Sequence, residues 1–593
     1  MNLGILETVL FVITFFLTFY VLFRSQKTEQ TLNGITWLFL SLLMELCAGA
    51  FFAGIINIIR VPINLWSMSC INFCIGGIVY LCLCHKKKMQ KYYWDRFDIA
   101  YLLSLFICMV AFFLYFRGTN IELKFYNSDA GVHMKNIMGI VRDEHLSTMY
   151  FSGLWTAMVI ECFLPFIKEI HAYKIFIVVD YVFLFLEIEI FMICIREYIK
   201  SKKEKVAAVV LSVFYALGYP ALCYLFSFFY WGIGVLLVAS LLLYAKYYQE
   251  NKIQRSQLVW AMMLTCNAIT MCYMLLGPLS FVMLFLYLTY LYITEHHKLD
   301  WQWVVLCLKV YLVPTIMAIY YCYIVFLAKA NLSVGEVLNT PGGTYSERHL
   351  NFWWMLPLGM YMFIRCIKTK KIDMLMTCAF CNLLVIAVFI LLRRQELVSQ
   401  YYFSKLYYPM WLFCFMISFQ AICSIMEKHS KLVAGYGIIV LLVIVGYFGK
   451  YESQMLVKDT DIEAQLHNNS KLGLYGYNCG LYRMLYVQYP EEYLEACDYV
   501  IEQLQKERDV PMLAGIENNS HCYWYEAITG QECSEYYGWT QDFVDIQHKL
   551  DAKDVNYFVI YKNTYLYLSH RDYFESFNKV YDNELAMVCS TGK

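Results

Sequence analysis

The stretch "FDIAYLLSLFICMVAFFLYFRGTNIELKFYNSDAGVH", residues 97–133, joins an apolar run to a polar segment. The run 97–116 has the length of about 20 residues that an α-helix needs to cross a bilayer. Asp129 and His133 follow soon after this run ends. The stretch therefore predicts a membrane helix followed by a polar segment at the membrane surface.

The composition of the whole chain agrees with a membrane location. Of its 593 residues, 60% are hydrophobic and 18% are aromatic, and the mean hydropathy is +0.49. Soluble domains contain only roughly 45–50% apolar residues. The 47 basic and 47 acidic residues balance, so the net charge does not favour a nucleic-acid partner. We expect an integral membrane protein surrounded by membrane lipids.

Apolar runs long enough to span a membrane recur along most of the chain. About fourteen such runs predict an all-α polytopic membrane bundle. They are residues 3–23, 34–59, 62–84, 97–116, 173–197, 206–226, 229–247, 257–275, 277–294, 303–327, 352–367, 372–392, 406–426 and 432–448.

The charged loops predict the orientation of the bundle. Cytoplasmic loops of membrane proteins carry an excess of Lys and Arg. Alternate connections here are basic: 85–96, 196–205, 245–255, 365–371 and 427–431. We therefore expect 117–172, 328–351 and the chain after about residue 449 on the outer face of the plasma membrane. Segment 151–170 is interpreted as an amphipathic helix at the interface, because counting it as a span would place 196–205 outside.

The chain after residue 449 changes in character. "PEEYLEACDYVIEQLQKE" predicts an amphipathic helix, and "VPMLAGI", "VNYFVIYK" and "NELAMVCS" predict short strands. Residues 450–593 are thus expected to form a soluble, extracytoplasmic α/β domain. Residues 1–96 supply additional N-terminal membrane helices, and 97–449 form a catalytic membrane module with the outer loop 117–172. Cys522 and Cys533 either form a disulfide or remain two free thiols.

Several common catalytic motifs do not occur in this sequence. It contains no G-x-x-x-x-G-K-[ST] phosphate loop, no dinucleotide fingerprint after a strand, no H-E-x-x-H and no nucleophile elbow. These observations disfavour ATP-driven transport and hydrolysis by a serine or a zinc ion.

Acidic and His residues cluster in the predicted outer loop. In a helix over 129–142, Asp129 and His133 would lie four residues apart on one face. A partly buried carboxylate can act as a general base, with His133 as its helper. Alternatively, Asp129 caps this helix, and both roles are compatible. Asp143 and Glu144 form a second acidic pair or a solvated turn.

A second candidate segment, "RRQELVSQYYFSKLYYPMW" at 393–411, places Arg393, Arg394 and Lys405 at the outer boundary. These cations bind a lipid phosphate, with Tyr402 nearby, or else they extend from helix ends into water. Three further residues have accessory roles in this hypothesis. They are Asp180 within a span, and Arg348 and His349 in the Gly-rich loop 339–352.

An acid followed closely by His, on the first large outer loop after a membrane helix, resembles superfamily C of membrane glycosyltransferases. In protein mannosyltransferases of that group the loop begins Asp-Glu-x-His. Here Asp129 to His133 lacks the second acid and is one residue longer. The "YYFSK" stretch ending at Lys405 also resembles aromatic-plus-Lys segments in bacterial members of that superfamily.

The resemblance implies sugar transfer from a polyprenyl-phosphate donor to a glycan, lipid or protein acceptor, with inversion at the anomeric carbon. Asp129 would be the base, and Arg393, Arg394 and Lys405 would bind the departing phosphate. The resemblance requires no cofactor. A divalent metal assists some members, although this sequence shows no convincing ligand set. The alternatives are a flippase for lipid-linked oligosaccharides and a polysaccharide polymerase or ligase.

Overall fold

The structure, a computed structural model, describes most of the chain. The described residues are 3–25, 31–84, 92–125, 128–147, 149–225, 227–340, 352–369, 374–455, 487–504, 512–514, 519–531 and 543–592.

The described part of residues 3–455 is almost entirely helical. Its α-helices are α1 (Leu3–Arg24), α2 (Gly34–Ile58), α3 (Leu65–Val79), α4 (Arg96–Arg117), α5 (Asp129–Asp143), α6 (Tyr150–Phe163), α7 (Ala172–Arg196), α8 (Lys202–Ala216), α9 (Tyr219–Leu225), α10 (Phe229–Glu250), α11 (Arg255–Cys272), α12 (Leu276–His296), α13 (Trp301–Ala318), α14 (Val334–Asn339), α15 (Leu356–Thr369), α16 (Met374–Arg394), α17 (Gln400–Lys405) and α18 (Tyr407–Met455). Short strands β1 (Leu32–Asn33) and β2 (Tyr92–Tyr93) pair in parallel. Helices of π type cover Tyr80–Cys84 and Ile319–Ala328, and a 3-10 turn covers Glu169–His171.

Within the described residues, ten helical segments are long and apolar enough to cross a membrane. They are Leu3–Arg24, Gly34–Ile58, Leu65–Cys82, Arg96–Arg117, Lys202–Leu225, Phe229–Glu250, Leu276–His296, Trp301–Ala328, Met374–Arg394 and Gln400–Val443. The protein is therefore an integral membrane protein with a helical bundle.

Four of the fourteen predicted runs account for the difference from ten. The run 352–367 forms the 14-residue α15, which at 1.5 Å per residue extends only about 21 Å, against about 30 Å for a bilayer core. The runs 406–426 and 432–448 both belong to α18, which departs from helical geometry at His429. The two runs at 173–197 and 257–275 form α7 and α11, which are not among the ten.

The centre of the bundle is formed by α7, α10 and α11. Of the 22 residues in α10, 17 are buried, whereas only 4 of the 22 in α1 are buried. Helix α7 packs against α10 and carries Asp180, Glu187 and Glu189, all of them buried. Charged residues inside a membrane bundle are costly and face its interior, so this position explains why α7 tolerates them.

Helix α6, within the predicted interfacial segment 151–170, is less exposed than expected. Nine of its 14 residues are buried, and it packs against α1, α5, α7 and α11. The helix therefore packs on the bundle, as predicted, and it is not among the ten segments that could cross a membrane, although fewer of its residues are exposed than an amphipathic interfacial helix would have. It supports α5.

The C-terminal region is an α/β structure, as the sequence predicts. Its sheet has the order β5 (Met512–Ala514), β6 (Tyr557–Tyr561), β8 (Ala586–Ser590) and β7 (Asn578–Asp582), in which β5 and β6 are parallel and the other pairs are antiparallel. Strands β5, β6 and β8 were predicted, whereas β7 was not. The helices are α19 (Glu491–Tyr499), α20 (Asn519–Thr529), α21 (Phe543–Asp551), α22 (Tyr565–Ser569) and α23 (Arg571–Glu575), with a π-helix at Val500–Leu504. Cys522 is buried in α20, and Cys533 lies outside the described residues.

The C-terminal region docks on the segment between α4 and α5. Strand β3 (Lys124–Phe125) pairs antiparallel with β4 (Val487–Gln488). The Phe125 ring stacks on Trp524 of α20, with 4.9 Å between the ring centroids. Lys168 forms a 2.6 Å ion pair with Asp498. The hydrophobic core is therefore continuous from the bundle into this region.

Candidate active site

Helix α5 carries the predicted acid and histidine. Asp129 lies in its first turn, and the N-cap position belongs to Ser128, which makes no side-chain capping hydrogen bond. The predicted helix over 129–142 is thus confirmed, and Asp129 and His133 are one turn apart. A carboxylate in this turn is favoured by the helix dipole, whichever further role it has.

Lys405 is the most unusual cation near α5. It ends α17 and is only 4% exposed. Its ammonium donates hydrogen bonds to the hydroxyls of Tyr401 at 2.6 Å and Tyr230 at 3.2 Å. Burying an ammonium is expensive unless polar or π groups replace its water, and this site supplies both.

Aromatic rings surround the Lys405 ammonium. Tyr401 and Tyr273 are the nearest, with 3.9 Å and 4.8 Å from Nζ to the ring centroids. The remaining rings lie at 5.5–5.8 Å and belong to Phe228, Tyr230, Tyr402 and Trp231. We call these six residues together with Lys405 the aromatic cage.

The cage joins the predicted acid and histidine. Burial raises the pKa of Asp129, and the positive charge of Lys405 offsets part of this rise. Burial and, to a smaller extent, the positive charge of Lys405 lower the pKa of His133 to about 3. The imidazole is therefore neutral at physiological pH. It lies 4.8 Å from the ring of Tyr230, centroid to centroid. Asp129, His133 and Lys405 thus belong to one site.

Sequence analysis missed the part of this cage that comes from α10 and α11. Phe228, Tyr230 and Trp231 lie at the start of α10, and Tyr273 directly follows α11. The available signal was the aromatic run "FFYW" at 228–231, where one apolar run gives way to the next. This run is typical of an ordinary apolar core. Its role is visible only because the structure places Lys405 beside these rings.

Arg393 and Arg394 lie apart from the buried cage. Both are exposed at the end of α16. Arg393 donates a 2.8 Å hydrogen bond to Gln400, the first residue of α17. Because α17 ends at Lys405, one short helix connects these arginines to the cage, and Tyr402 lies within it.

Asp143 and Glu144 lie at the opposite end of α5 from Asp129. At 1.5 Å per residue, 14 residues separate Asp143 from Asp129 by about 21 Å. Glu144 has a left-handed backbone conformation (φ 55°) and accepts a 3.0 Å hydrogen bond from Asn64. The structure therefore does not bring this pair to the cage.

The remaining accessory candidates are Asp180, Arg348 and His349. Asp180 is buried in α7, and Arg117 rather than Lys405 is the charged residue that acts on it. Arg348 and His349 lie outside the described residues.

The described residues around Asp129 do not suit a divalent metal. In the part of the chain that the structure describes, no group of three or more His, Cys, Asp or Glu side chains could hold an ion. Asp129 and His133 could supply two ligands, but the Lys405 ammonium in the same site would repel a divalent cation. The donor set instead favours an anionic ligand beside Lys405.

No protein-family model and no curated protein matches the chain. In structure, the chain is similar to ArnT from Cupriavidus metallidurans bound to undecaprenyl phosphate. The TM-score is 0.49 and the sequence identity 10%, and the match covers 83% of this chain and 98% of that one. It is also similar to ArnT in the apo state, with a TM-score of 0.46, 12% identity and the same coverage.

Proposed function

We propose that the protein is a membrane glycosyltransferase that moves a sugar from a polyprenyl-phosphate donor to an acceptor hydroxyl. One observation carries the proposal: a buried lysine, caged by aromatic rings, acts electrostatically on a partly buried carboxylate. The carboxylate supplies a proton acceptor, and the ammonium supplies a site for a phosphate. The aromatic rings suit the apolar end of a lipid donor and the faces of a sugar.

In this mechanism Asp129 removes the proton from the acceptor hydroxyl. The acceptor oxygen then forms a bond with the anomeric carbon, and the bond between that carbon and the phosphate oxygen breaks. The bonding electrons leave with the polyprenyl phosphate, whose added negative charge Lys405 stabilises. A single displacement from the opposite face inverts the anomeric carbon.

The electrostatics of Asp129 support its role as the base. Its raised pKa makes the carboxylate a stronger proton acceptor than an exposed aspartate. His133 is neutral, so it positions the carboxylate or the acceptor by hydrogen bonding and adds no second charge. We expect His133→Ala to reduce the rate less than removal of Asp129 does.

The basic loops predicted to be cytoplasmic support a site on the outer face. On this basis the acceptor is extracytoplasmic, and it is a glycan, a lipid or a protein. Arg393 and Arg394, exposed at the end of α16, are proposed to contact the donor phosphate as it enters or leaves.

Sugar transfer in reconstituted vesicles tests the proposal. Vesicles containing the purified protein are supplied with a polyprenyl-phosphate donor that carries a radiolabelled sugar, and with membrane extract as a source of acceptors. We expect label to move to an acceptor in the wild type and to remain on the donor with Asp129→Asn. Movement of intact labelled lipid between leaflets, without transfer of the sugar, would identify a flippase instead.

A further inference from the structure

Helix α5 lies between the membrane bundle and the C-terminal region. Asp129 and His133 are associated with the cage residues of α10 and α17. Gly131, Lys135 and Arg142 contact α20 of the C-terminal region. Successive residues of a helix are rotated by about 100° around its axis. Position 131 is therefore rotated by about 200° from position 129. The two sets of residues therefore occupy opposite faces of one helix.

Gly131 is a point of close approach between α5 and α20. A Cβ atom at this position would lie 2.9 Å from Cβ of Tyr523 and 3.1 Å from the backbone nitrogen of Trp524. Any larger residue would have to push the two helices apart, because one of these atoms belongs to the backbone. This close contact of the C-terminal region with α5 is thus only two residues from both Asp129 and His133.

Polar contacts continue along the same face of α5. Lys135 forms a 3.1 Å ion pair with Glu526, whose side chain is buried. Arg142 donates hydrogen bonds to the carbonyl oxygens of Ala527 at 3.1 Å and Ile528 at 2.8 Å. These carbonyls lie near the C-terminal end of α20, where a cation is favoured by the helix dipole. The whole length of α5 is therefore held against α20.

We propose that the C-terminal region positions the catalytic helix, and that Gly131 and Arg142 are positioning residues for Asp129. This inference rests on the proposed function, in which Asp129 is the base. A base must lie within hydrogen-bond reach of the acceptor proton, and a misplacement of about 1 Å can cost on the order of 10²-fold in rate. Helix α5 lies between the bundle and α20, so the position of Asp129 in the site depends on the contacts that α5 makes with α20.

Gly131→Ala tests the inference, with Gly139→Ala as the matched control on the same helix. A Cβ atom at 139 would meet nothing within 4 Å. Both changes raise helix propensity, so neither weakens α5 itself. We expect Gly131→Ala to lower kcat by about 10-fold to 10²-fold, with little change in the KM for donor. Gly139→Ala should resemble the wild type.

The pH dependence of kcat separates positioning from general loss of structure. Lys405 and Tyr401 from α17, Tyr230 from α10 and His133 on α5 itself are the titratable groups around Asp129. Moving α5 outward admits water to Asp129 and relieves the burial that raises its pKa. The acid limb of the kcat profile should therefore shift to lower pH in Gly131→Ala. It should stay unchanged in Gly139→Ala.

Arg142→Ala provides a second variant, which adds no bulk and removes the contacts with α20 together with a 2.6 Å ion pair to Glu169. If Gly131→Ala does not fold, the kcat and pH profile of Arg142→Ala test the positioning role instead. Folded Gly131→Ala or Arg142→Ala protein with wild-type kcat and pH profile would overturn the positioning role, even if Asp129→Asn is inactive. Full activity of Asp129→Asn would overturn the proposed function and the positioning role together.

Discussion

The hydroxyl of Tyr230 accepts a 3.2 Å hydrogen bond from the ammonium of Lys405, a residue 175 positions away in the chain. The ring of Tyr230 also lies 4.8 Å from the ring of His133. Tyr230 therefore connects the predicted phosphate-binding cation with the helix that carries the predicted base. This connection leads to specific expectations about individual residues.

Asp129→Asn should lower the transfer rate by on the order of 10²–10⁴-fold, because it removes the proton acceptor. Asparagine keeps the size and polarity of aspartate at this position in the first turn of α5, so the fold should be retained. The matched control is Asp545→Asn, another acid in the first turn of a helix, which is exposed in the C-terminal region. Initial rates of labelled-sugar transfer in vesicles provide the measurement. The structure gives the N-cap position to Ser128, so a well-expressed Asp129→Asn protein with the wild-type rate would leave Asp129 only its interaction with the helix dipole.

Lys405→Met should raise the KM for the polyprenyl-phosphate donor, because the cage loses its cation. It should also move the acid limb of the pH–rate profile to higher pH. The base acts as a carboxylate, so the rate falls as pH drops through the pKa of Asp129, which burial raises. Lys405 lowers that pKa, and its removal therefore raises it further. A donor titration at several pH values checks both effects. An unshifted pH–rate profile would show that Lys405 does not influence the pKa of Asp129.

Tyr230→Phe should weaken donor binding while the bundle stays intact. The change keeps the ring against His133 and removes only the hydroxyl that accepts from Lys405. This hydroxyl helps to hold the Lys405 ammonium in place for the donor phosphate, so we expect the Kd for the donor to rise. Tyr20→Phe, which removes an exposed hydroxyl on α1, serves as the control. Equal donor affinity in both variants would contradict a role for Tyr230 in holding Lys405.

Arg393→Met and Arg394→Met should each have smaller effects than Lys405→Met. Both arginines are exposed, and exposed charges in water contribute little to an interaction. We expect a modest rise in the KM for the donor relative to the wild type. This rise should be larger at low ionic strength, because salt screens exposed charges. Donor titrations at two salt concentrations measure it. Unchanged KM in both variants would favour the alternative that these side chains merely extend from a helix end into water.

The predicted topology can be tested by labelling engineered cysteines with a membrane-impermeant thiol reagent. Cys522 is buried and unsuitable, whereas Leu568 in the C-terminal region is 64% exposed. We expect Leu568→Cys to react in intact cells. Lys428→Cys, in a predicted cytoplasmic loop, should react only after permeabilisation. The reverse pattern would place the C-terminal region in the cytoplasm and the candidate active site with it.

The helices and the identity of the main candidate residues could be predicted from the sequence, because they depend on local patterns. Apolar runs of sufficient length predict membrane helices whatever their neighbours are. The four-residue spacing of Asp129 and His133 places them on one helical face, and α5 confirms the helix. Strands β6 and β8 were recognised in the same way, from short runs rich in β-branched and aromatic residues. Strand β7 was missed because "NKVYD" is polar and lies partly exposed at an edge of the sheet.

Only the tertiary structure decided which of these residues meet. Lys405 lies 276 positions after Asp129, and Tyr523 lies 392 positions after Gly131, so no local pattern links either pair. The same holds for the burial of α6. Burial and charge proximity are properties of packing between distant segments. The chemistry of each residue was therefore determined by the sequence, whereas the electrostatic environment of Asp129 and the close contact at Gly131 arise only when the bundle and the C-terminal region pack together.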